Sequence, residues 1–343
     1  MARSRWFGIA KEVTPGTYVA PSKYVDLESA ETSHNRGHTL MMRSRGRMAK
    51  QAQLGGILLN PQLNLVGPHP DEMHLLMGTL LGFYDFTTNQ NISGAAETGV
   101  GRHVYKADED PPDATSHVGD VGNGARTISG TIMRDVQAEK LPGLFVDELS
   151  IRQPRGVKPL EMGWSLLSGK GVSDIAQDAG SAQTPTIYTG FGGYNFNVVL
   201  SFSAITFYPL DFEMRISQSY DRGRFVAGTG TAASRRLSFH APNELSIEGS
   251  ITLDTVLTEA FEDTIADANS ALAATWISTD IVTGAFVSKM SIALDKILFS
   301  SDTGGRTPRR DPSETVLNFK AYNPTVSTEP IIVEMSGVNT AQW

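Results

Sequence analysis

Apolar and polar residues alternate over long stretches of this 343-residue chain, and this alternation constrains its fold more than any other feature. Residues 245–253, LSIEGSITL, carry a large aliphatic side chain at every odd position except Gly249 and a polar one at every even position. Alternate residues of a β-strand point to opposite faces, so this period predicts strands that bury one face. The same period recurs at 145–151, 160–166, 212–217, 290–295, 315–321 and 331–335. We therefore predict a mainly β fold, with strands in both halves of the chain.

A helical period occurs in two places. Residues 73–81 place apolar side chains at i, i+3, i+4, i+7 and i+8, and Gly82 ends the run. Residues 254–266 place three apolar side chains on one stripe, with Asp254 positioned to cap the first free amide groups. Each of these segments follows a predicted strand, so we expect one helix in each half of the chain.

The two halves share short matches and a common order of elements. The triplet NRG at 35–37 matches DRG at 221–223, and nearly the same spacing relates VDLE at 25–28 to LDFE at 210–213. Each half reads as a strand, a polar basic loop, a strand, a helix and further strands. This order favours an internal duplication.

Domain boundaries follow from the duplication and from a change in composition. Gly, Ser, Ala, Gln and Asp accumulate in residues 169–193, which is typical of a linker. We predict two tandem β-sandwich or barrel domains, each with one flanking α-helix and a long loop. The first covers 1–168 and includes an N-terminal arm, and the second covers 194–343.

The composition excludes several classes of protein. The chain has no Cys, which excludes disulfides, thiol catalysis and cysteine-ligated metal centres. Its net charge of -8 argues against a protein whose main task is to grip nucleic acid, because phosphate binding depends on clusters of Lys and Arg. The most apolar stretch, 196–210, is interrupted by polar residues and Pro209, so we expect no membrane partner.

Motifs for catalysis or cofactor binding are weak. His34 and His38 have no carboxylate near them in the sequence, and the acidic stretch DEDPPD at 108–113 lacks the glycine of a calcium loop. GKG at 169–171 and GTG at 228–230 lack the spacing of a phosphate-binding loop. We predict no catalytic, cofactor-binding or metal-binding residues and no enzymatic activity. A β-fold hydrolase with distant carboxylates is the enzymatic alternative, but no paired motif supports it.

Basic residues concentrate in two loops of an otherwise acidic chain. They are Arg36, Arg43, Arg45, Arg47 and Lys50 in a stretch without acids, and Arg222, Arg224, Arg235 and Arg236 in the corresponding stretch of the second half. Such loops could be solvated hairpin tips, or docking arms that become ordered on an acidic surface of a neighbouring copy. A nucleic-acid hook is a third reading, but base-stacking aromatic residues are missing from both loops.

The chain as a whole resembles the tail tube proteins, or major tail proteins, of long-tailed (siphovirus-type) bacteriophages. The resemblance rests on the opening segment WFGIAKEVTPGTYVAP at 6–21, the strand at 24–29, the duplicated order of elements and the closing strands within 315–337. It covers nearly the whole chain. Tyr18 and Ser22 depart from the residues most common at these positions in that family.

The resemblance implies that subunits join edge to edge and that their inner strands form one barrel around a channel. Single-domain members form rings of six, so a duplicated chain is expected to form rings of three with pseudo-sixfold symmetry, and a ring of six is the alternative. The loops at 34–50 and 221–236 would contact the next ring of the stack. Implied partners are further copies of the chain and the tape-measure, tail-tip and tail-terminator proteins. The protein would be made in the host bacterial cytoplasm and end in the virion tail, where DNA passes through an acid-lined channel without specific binding.

A two-domain β-sandwich module that binds carbohydrate or acts as an adhesin is the other reading. Such a module needs an exposed aromatic platform. The four tryptophans, Trp6, Trp164, Trp276 and Trp343, are scattered along the sequence, and Trp164 lies on an apolar strand face. Core or terminal roles therefore fit them better.

Overall fold

The computed structural model describes the chain in segments, and every structural statement below concerns these segments. They are residues 6–12, 16–21, 23–36, 39–41, 51–53, 57–68, 70–107, 127–134, 137–168, 172–173, 196–200, 205–218, 245–254, 270–283, 286–304, 314–322 and 329–337.

The fold is mainly β, as the alternation predicts, and its paired strands are antiparallel. One helix, α1 (Pro70–Leu81), lies in the described segments and confirms the first predicted helix. The second predicted helix lies outside them, apart from Asp254, which ends a strand. The strands are β1 (Trp6–Lys11), β2 (Lys23–Asp26), β3 (Ser29–Arg36), β4 (Thr39–Met41), β5 (Gln51–Gln53), β6 (Ile57–Val66), β7 (Gly82–Gln90), β8 (Ala96–Ala107), β9 (Ile128–Arg134), β10 (Gln137–Gln153), β11 (Glu161–Ser168), β12 (Val172–Ser173), β13 (Phe196–Leu200), β14 (Ile205–Phe207), β15 (Asp211–Gln218), β16 (Leu245–Asp254), β17 (Ser270–Thr283), β18 (Phe286–Gly304), β19 (Glu314–Ala321) and β20 (Ile331–Gly337).

Eight strands form one continuous sheet in the order β3, β6, β11, β10, β15, β16, β19 and β18. Its register is unbroken along a row of directly opposed residues, one from each strand. That row is Ser29, Asn64, Gly163, Ser150, Arg215, Glu248, Lys320 and Leu298. We call these eight strands the wide sheet.

Two long strands of the wide sheet pair with more than two others: β10 with β9, β11, β12 and β15, and β18 with β17, β19 and β20. Leu144 pairs with both β9 and β11, so these two strands flank β10 on opposite sides. Ser150 pairs with both β15 and β11, so β15 follows β9 along the same side of β10. In β18, Ile297 pairs with both β17 and β19, which therefore lie on opposite sides. Each long strand is thus part of the wide sheet along one stretch and pairs with strands outside the wide sheet along another.

The same order of pairing occurs in both halves of the chain. The first half pairs in the order β2, β1, β9, β10, β11, β6 and β3. The second half pairs in the order β14, β13, β17, β18, β19, β16 and β15. A register shift also falls at matching places, between Val146 and Glu148 of β10 and between Phe299 and Ser301 of β18. The division into domains at 169–193 stays a prediction, although a short strand, β12, lies inside that segment.

The apolar face of the wide sheet packs on a second layer of strands. In the second half, the ring of Phe212 in β15 lies 5.8 Å from that of Trp276 in β17, and Phe196 of β13 stacks on the same indole at 4.7 Å. In the first half, α1 packs against β10 and against the β7–β8 hairpin. Fully buried aromatic rings remove 150–250 Å² each from water, so these contacts are a large part of the core.

One residue of the wide sheet's apolar face has no side chain because there is no room for one. A Cβ atom on Gly249 of β16 would lie 2.3 Å from the carbonyl oxygen of Glu213 and 2.6 Å from the ring of Phe319. Both distances are far below van der Waals contact. The gap in the aliphatic pattern of residues 245–253 is therefore filled by the phenyl ring of the neighbouring strand.

A fully buried carboxylate ties the segment that follows β1 to the rest of the first half. Glu12 accepts hydrogen bonds from the backbone N–H groups of Gly16 and Gly143, both at 2.7 Å. It also accepts bonds from the hydroxyls of Thr127 at 2.8 Å and Ser129 at 2.7 Å. Both glycines have positive φ, a conformation that side chains disfavour, so the two amides are fixed where the carboxylate needs them.

Replacing this carboxylate by an amide should destabilise the fold. In Glu12→Gln one acceptor oxygen becomes an NH₂ group that faces the donors it replaced, and we expect a loss of about 2–3 kcal/mol in the free energy of unfolding. Urea unfolding measures this loss, with Glu97→Gln in β8 as a control expected to change stability by less than about 0.5 kcal/mol. Equal stability of the two variants would refute a structural role for Glu12.

Candidate functional site

The second face of the wide sheet is polar and concave. Residues from β6, β11, β10, β15, β16 and β19 line a cavity of about 820 Å³ that is open to solvent. Along β15 the buried residues Phe212, Met214 and Ile216 alternate with Glu213 and Arg215, which are exposed. This face of the wide sheet therefore borders solvent, whereas the opposite face borders the hydrophobic core.

Acidic side chains outnumber basic ones on this face. Within the eight strands the acids are Glu31, Glu148, Glu161, Asp211, Glu213, Glu248 and Glu314, and the bases are Arg152, Arg215 and Lys320; Glu28, just before β3, also lines the cavity. The sequence predicted an acid-lined surface only through the resemblance. It did not identify these residues, because it does not show which polar face is concave.

Ion pairs cross the line where β10 meets β15, which is also the line where the two halves of the chain meet in the wide sheet. Arg215 Nη2 lies 2.5 Å from Glu148 Oε2. Arg152 Nε lies 3.0 Å from Glu213 Oε1, and Arg152 Nη2 lies 3.6 Å from Asp211 Oδ2. Both arginines therefore hold carboxylates of the opposite strand.

Glu148 also affects the protonation of its partner. Its hydrogen bond and then its charge raise the pKa of Arg215 above the ordinary value, against a smaller opposing effect of burial. The pairing with Glu148 therefore favours the charged form of the Arg215 guanidinium.

The wide sheet has two outer strands in the described part of the chain, β3 and the end of β18 beyond Ile297. β3 pairs with β6, and the described segments hold no strand on its other side. On β18, β17 pairs only as far as Ile297, and no described strand follows it on that side. The corresponding place beside β10, after β9, is occupied by β15. Among the described residues, the position beside β18 that corresponds to that of β15 beside β10 therefore holds no strand.

The two ends of the wide sheet differ. β3 and β15 run in the same direction, so the chain leaves β3 at Arg36 and β15 at Gln218 on the same end of the sheet. Both predicted basic loops begin there. At the opposite end three apolar side chains are exposed: Val66 at 43%, Val157 at 60% and Tyr208 at 75%.

Most of the predicted docking residues lie outside the described segments. The backbone of Arg36 is part of β3, whereas Arg43, Arg45, Arg47, Lys50, Arg222, Arg224, Arg235 and Arg236 fall outside. The predicted loop at 34–50 contains β4, which pairs with β5 directly after the loop, so the loop belongs at least in part to a β-hairpin.

The described tryptophans are buried. Trp6, Trp164 and Trp276 are each at most 1% exposed, and Trp343 lies outside the described residues. None of these three forms the exposed platform that a carbohydrate-binding module needs, which agrees with the core roles predicted for them.

In the described segments, no group of three or more His, Asp or Glu residues is arranged to hold a metal ion. No helix in the described segments is long and apolar enough to cross a lipid bilayer. No protein-family model matches the chain, and no curated protein matches it.

Proposed function

We propose that this protein is a tail tube protein that assembles into stacked rings around a channel for viral DNA. The observation that carries the proposal is the wide sheet: a concave, acidic eight-stranded wall in which, among the described residues, no strand lies beside β18 where β15 lies beside β10. A strand at the edge of a sheet is a template for pairing with a strand of another chain. In the proposal, β3 of the next copy takes this position beside β18.

The pairing of β10 with β15 within one copy, which we call the β10–β15 joint, has the geometry that we propose for this contact between copies. Strand direction alternates across the wide sheet, and the even number of strands makes β18 of one copy antiparallel to β3 of the next when copies are related by rotation. The contact joins two different surfaces, so repeating it gives a ring when the rotation between copies closes, as the proposal requires. Under this proposal the two halves are a duplication, and each internal joint imitates a joint between copies.

The size of the ring agrees with passage of a DNA duplex. One copy alone would close into a barrel whose interior its own side chains fill. Three copies, spaced at about 4.8 Å per strand with a tilt near 40°, give a backbone diameter of about 45–50 Å. The acidic excess of the wall repels phosphates, so a genome would slide rather than bind.

Electron microscopy of the concentrated full chain tests the proposal. We expect rings and tubes with threefold or pseudo-sixfold symmetry and a central channel. A protein that stays monomeric at every concentration, and that binds a glycan when tested on an array, would overturn the proposal in favour of a carbohydrate-binding module.

The basic loops are proposed to join successive rings. The loops begin at one end of the wide sheet, and the exposed Val66, Val157 and Tyr208 lie at the other end. When rings stack in the same orientation, the loops of one ring therefore face the apolar end of the next ring. Apolar residues rimmed by charge are typical of such contact surfaces.

Reversing the charge of the first loop should stop tube growth. The triple variant Arg43→Glu, Arg45→Glu and Arg47→Glu is expected to leave the melting temperature unchanged and to form no tubes in micrographs. The matched control reverses Lys11, Lys23 and Lys106, which lie in β1, β2 and β8, outside the loop and the wide sheet, and it should still assemble. Normal tubes from the loop variant would rule out docking through this loop.

A further inference from the structure

Both arginines whose side chains are described on the concave face are held by carboxylates. Arg215 bonds to Glu148, and Arg152 bonds to Glu213 and lies near Asp211. All of these contacts cross the β10–β15 joint. The guanidinium groups are about half exposed, so solvent and a passing polyanion could otherwise reach them.

An arginine on such a wall is a hazard for passage of DNA. Its planar fork of N–H donors matches the geometry of a phosphate group and forms strong charge-assisted bonds with it. Each phosphate contact also releases counterions, which strengthens binding at low salt. Repetition around a ring and along a tube would multiply a weak grip, because many sites would hold one duplex at once.

We propose that Glu148, Glu213 and Asp211 mask Arg215 and Arg152 from the phosphates of double-stranded DNA. The inference rests on the proposed function, since it assigns these residues a role in the channel wall. The carboxylates act as positioning residues: they contact Nη2 of Arg215 and Nε and Nη2 of Arg152 and hold each guanidinium along the wall. The arginines in turn screen the acids of β10 and β15 from one another, so the joint carries charge without presenting a phosphate site.

A purely structural role for the pairs makes a different prediction. Ion pairs this exposed add little to stability, and their loss would lower the melting temperature without creating affinity for DNA. Masking predicts the reverse: a small change in stability and a gain in binding. The two roles are therefore separated by measuring both quantities on the same variants.

The test measures binding of linear duplex DNA of random sequence to the full chain at low salt. Glu148→Gln is expected to bind about three- to tenfold more tightly than Glu31→Gln, which removes the same charge from the same face at β3. The salt dependence of binding should steepen by about one phosphate contact for Glu148→Gln. Glu148→Asp, which can keep the pair, should behave as the wild type.

A double variant isolates the arginine. Glu148→Gln combined with Arg215→Gln has the wild-type net charge and no guanidinium at this position, so its affinity for DNA should return to the wild-type value. Equal affinities of Glu148→Gln and Glu31→Gln would overturn masking, as would a gain that persists in the double variant.

The outcome is separable from that of the proposed function. Wild-type tubes in micrographs together with no gain in DNA binding by Glu148→Gln would refute masking and leave the tube intact. A gain in binding by the unassembled variant, with no tubes from the wild type, would support masking and refute the tube.

Discussion

Cysteines placed on β3 and β18 are expected to cross-link copies of the chain into a ladder that ends at three. Leu298→Cys is combined in turn with Ser29→Cys, Glu31→Cys and Ser33→Cys, which sample the register of the proposed joint. The chain has no cysteine of its own, so each disulfide reports the engineered pair alone. Within one copy the two positions are separated along the sheet by roughly 33 Å, at about 4.8 Å per strand, whereas a disulfide needs Cα atoms within about 7 Å. A bond therefore forms only between copies.

Non-reducing gel electrophoresis of oxidised tubes measures the ladder. A closed ring of three gives dimers and trimers and nothing larger, whereas a ring of six extends the ladder to six. Asn64→Cys with Leu298→Cys is the matched control, because Asn64 lies on the same face but on the inner strand β6, and it should give no ladder. Tubes without a cross-link in any of the three registers would show that β3 and β18 do not meet.

Gly249→Ala is expected to lower the free energy of unfolding by about 1–3 kcal/mol, the usual cost of an added group in a filled core. The new methyl group would meet the carbonyl oxygen of Glu213 and the ring of Phe319, and the backbone atom has no rotamer to escape into. Urea or thermal unfolding of the monomer gives the difference directly.

Gly163→Ala is the control on the opposite face of the same sheet. Its Cβ atom would lie 2.5 Å from the hydroxyl oxygen of Ser150, the far end of an exposed side chain that can rotate away, so we expect a change of less than about 0.5 kcal/mol. Phe319→Leu in the Gly249→Ala background should recover part of the loss, because the two residues share one space. A Gly249→Ala variant as stable as the wild type would show that the sheet adjusts without cost.

Strands and the first helix could be predicted because their signals are local. The alternation in residues 245–253 follows directly from one buried face, and the spacing of apolar residues in 73–81 follows from the turn of a helix. Strand partners could not be predicted in this way. The reason for Gly249 lies in Phe319, 70 positions away, and the four donors of Glu12 come from three separate segments.

The candidate site was accessible to sequence reasoning only in part. The basic loops have a compositional signal, and so they were singled out. The acidic wall has none, because Glu148 and Arg215 become neighbours only through the β10–β15 register. A lone Glu after an apolar segment and before a Pro-Gly turn was the only sequence sign of the buried Glu12.

The pairing of β8 with β20 has a consequence for synthesis of the protein on the ribosome. Arg102 of β8 bonds to Glu334 of β20 across 232 positions, so the nascent hairpin waits for most of the chain to be translated before its partner strand emerges. Contacts so distant in sequence form late and slowly. Until then β8 is exposed at the edge of its hairpin in the nascent chain. Polypeptides released early would lack β20 and therefore the strand pairing and the Arg102–Glu334 bond that hold the hairpin in place.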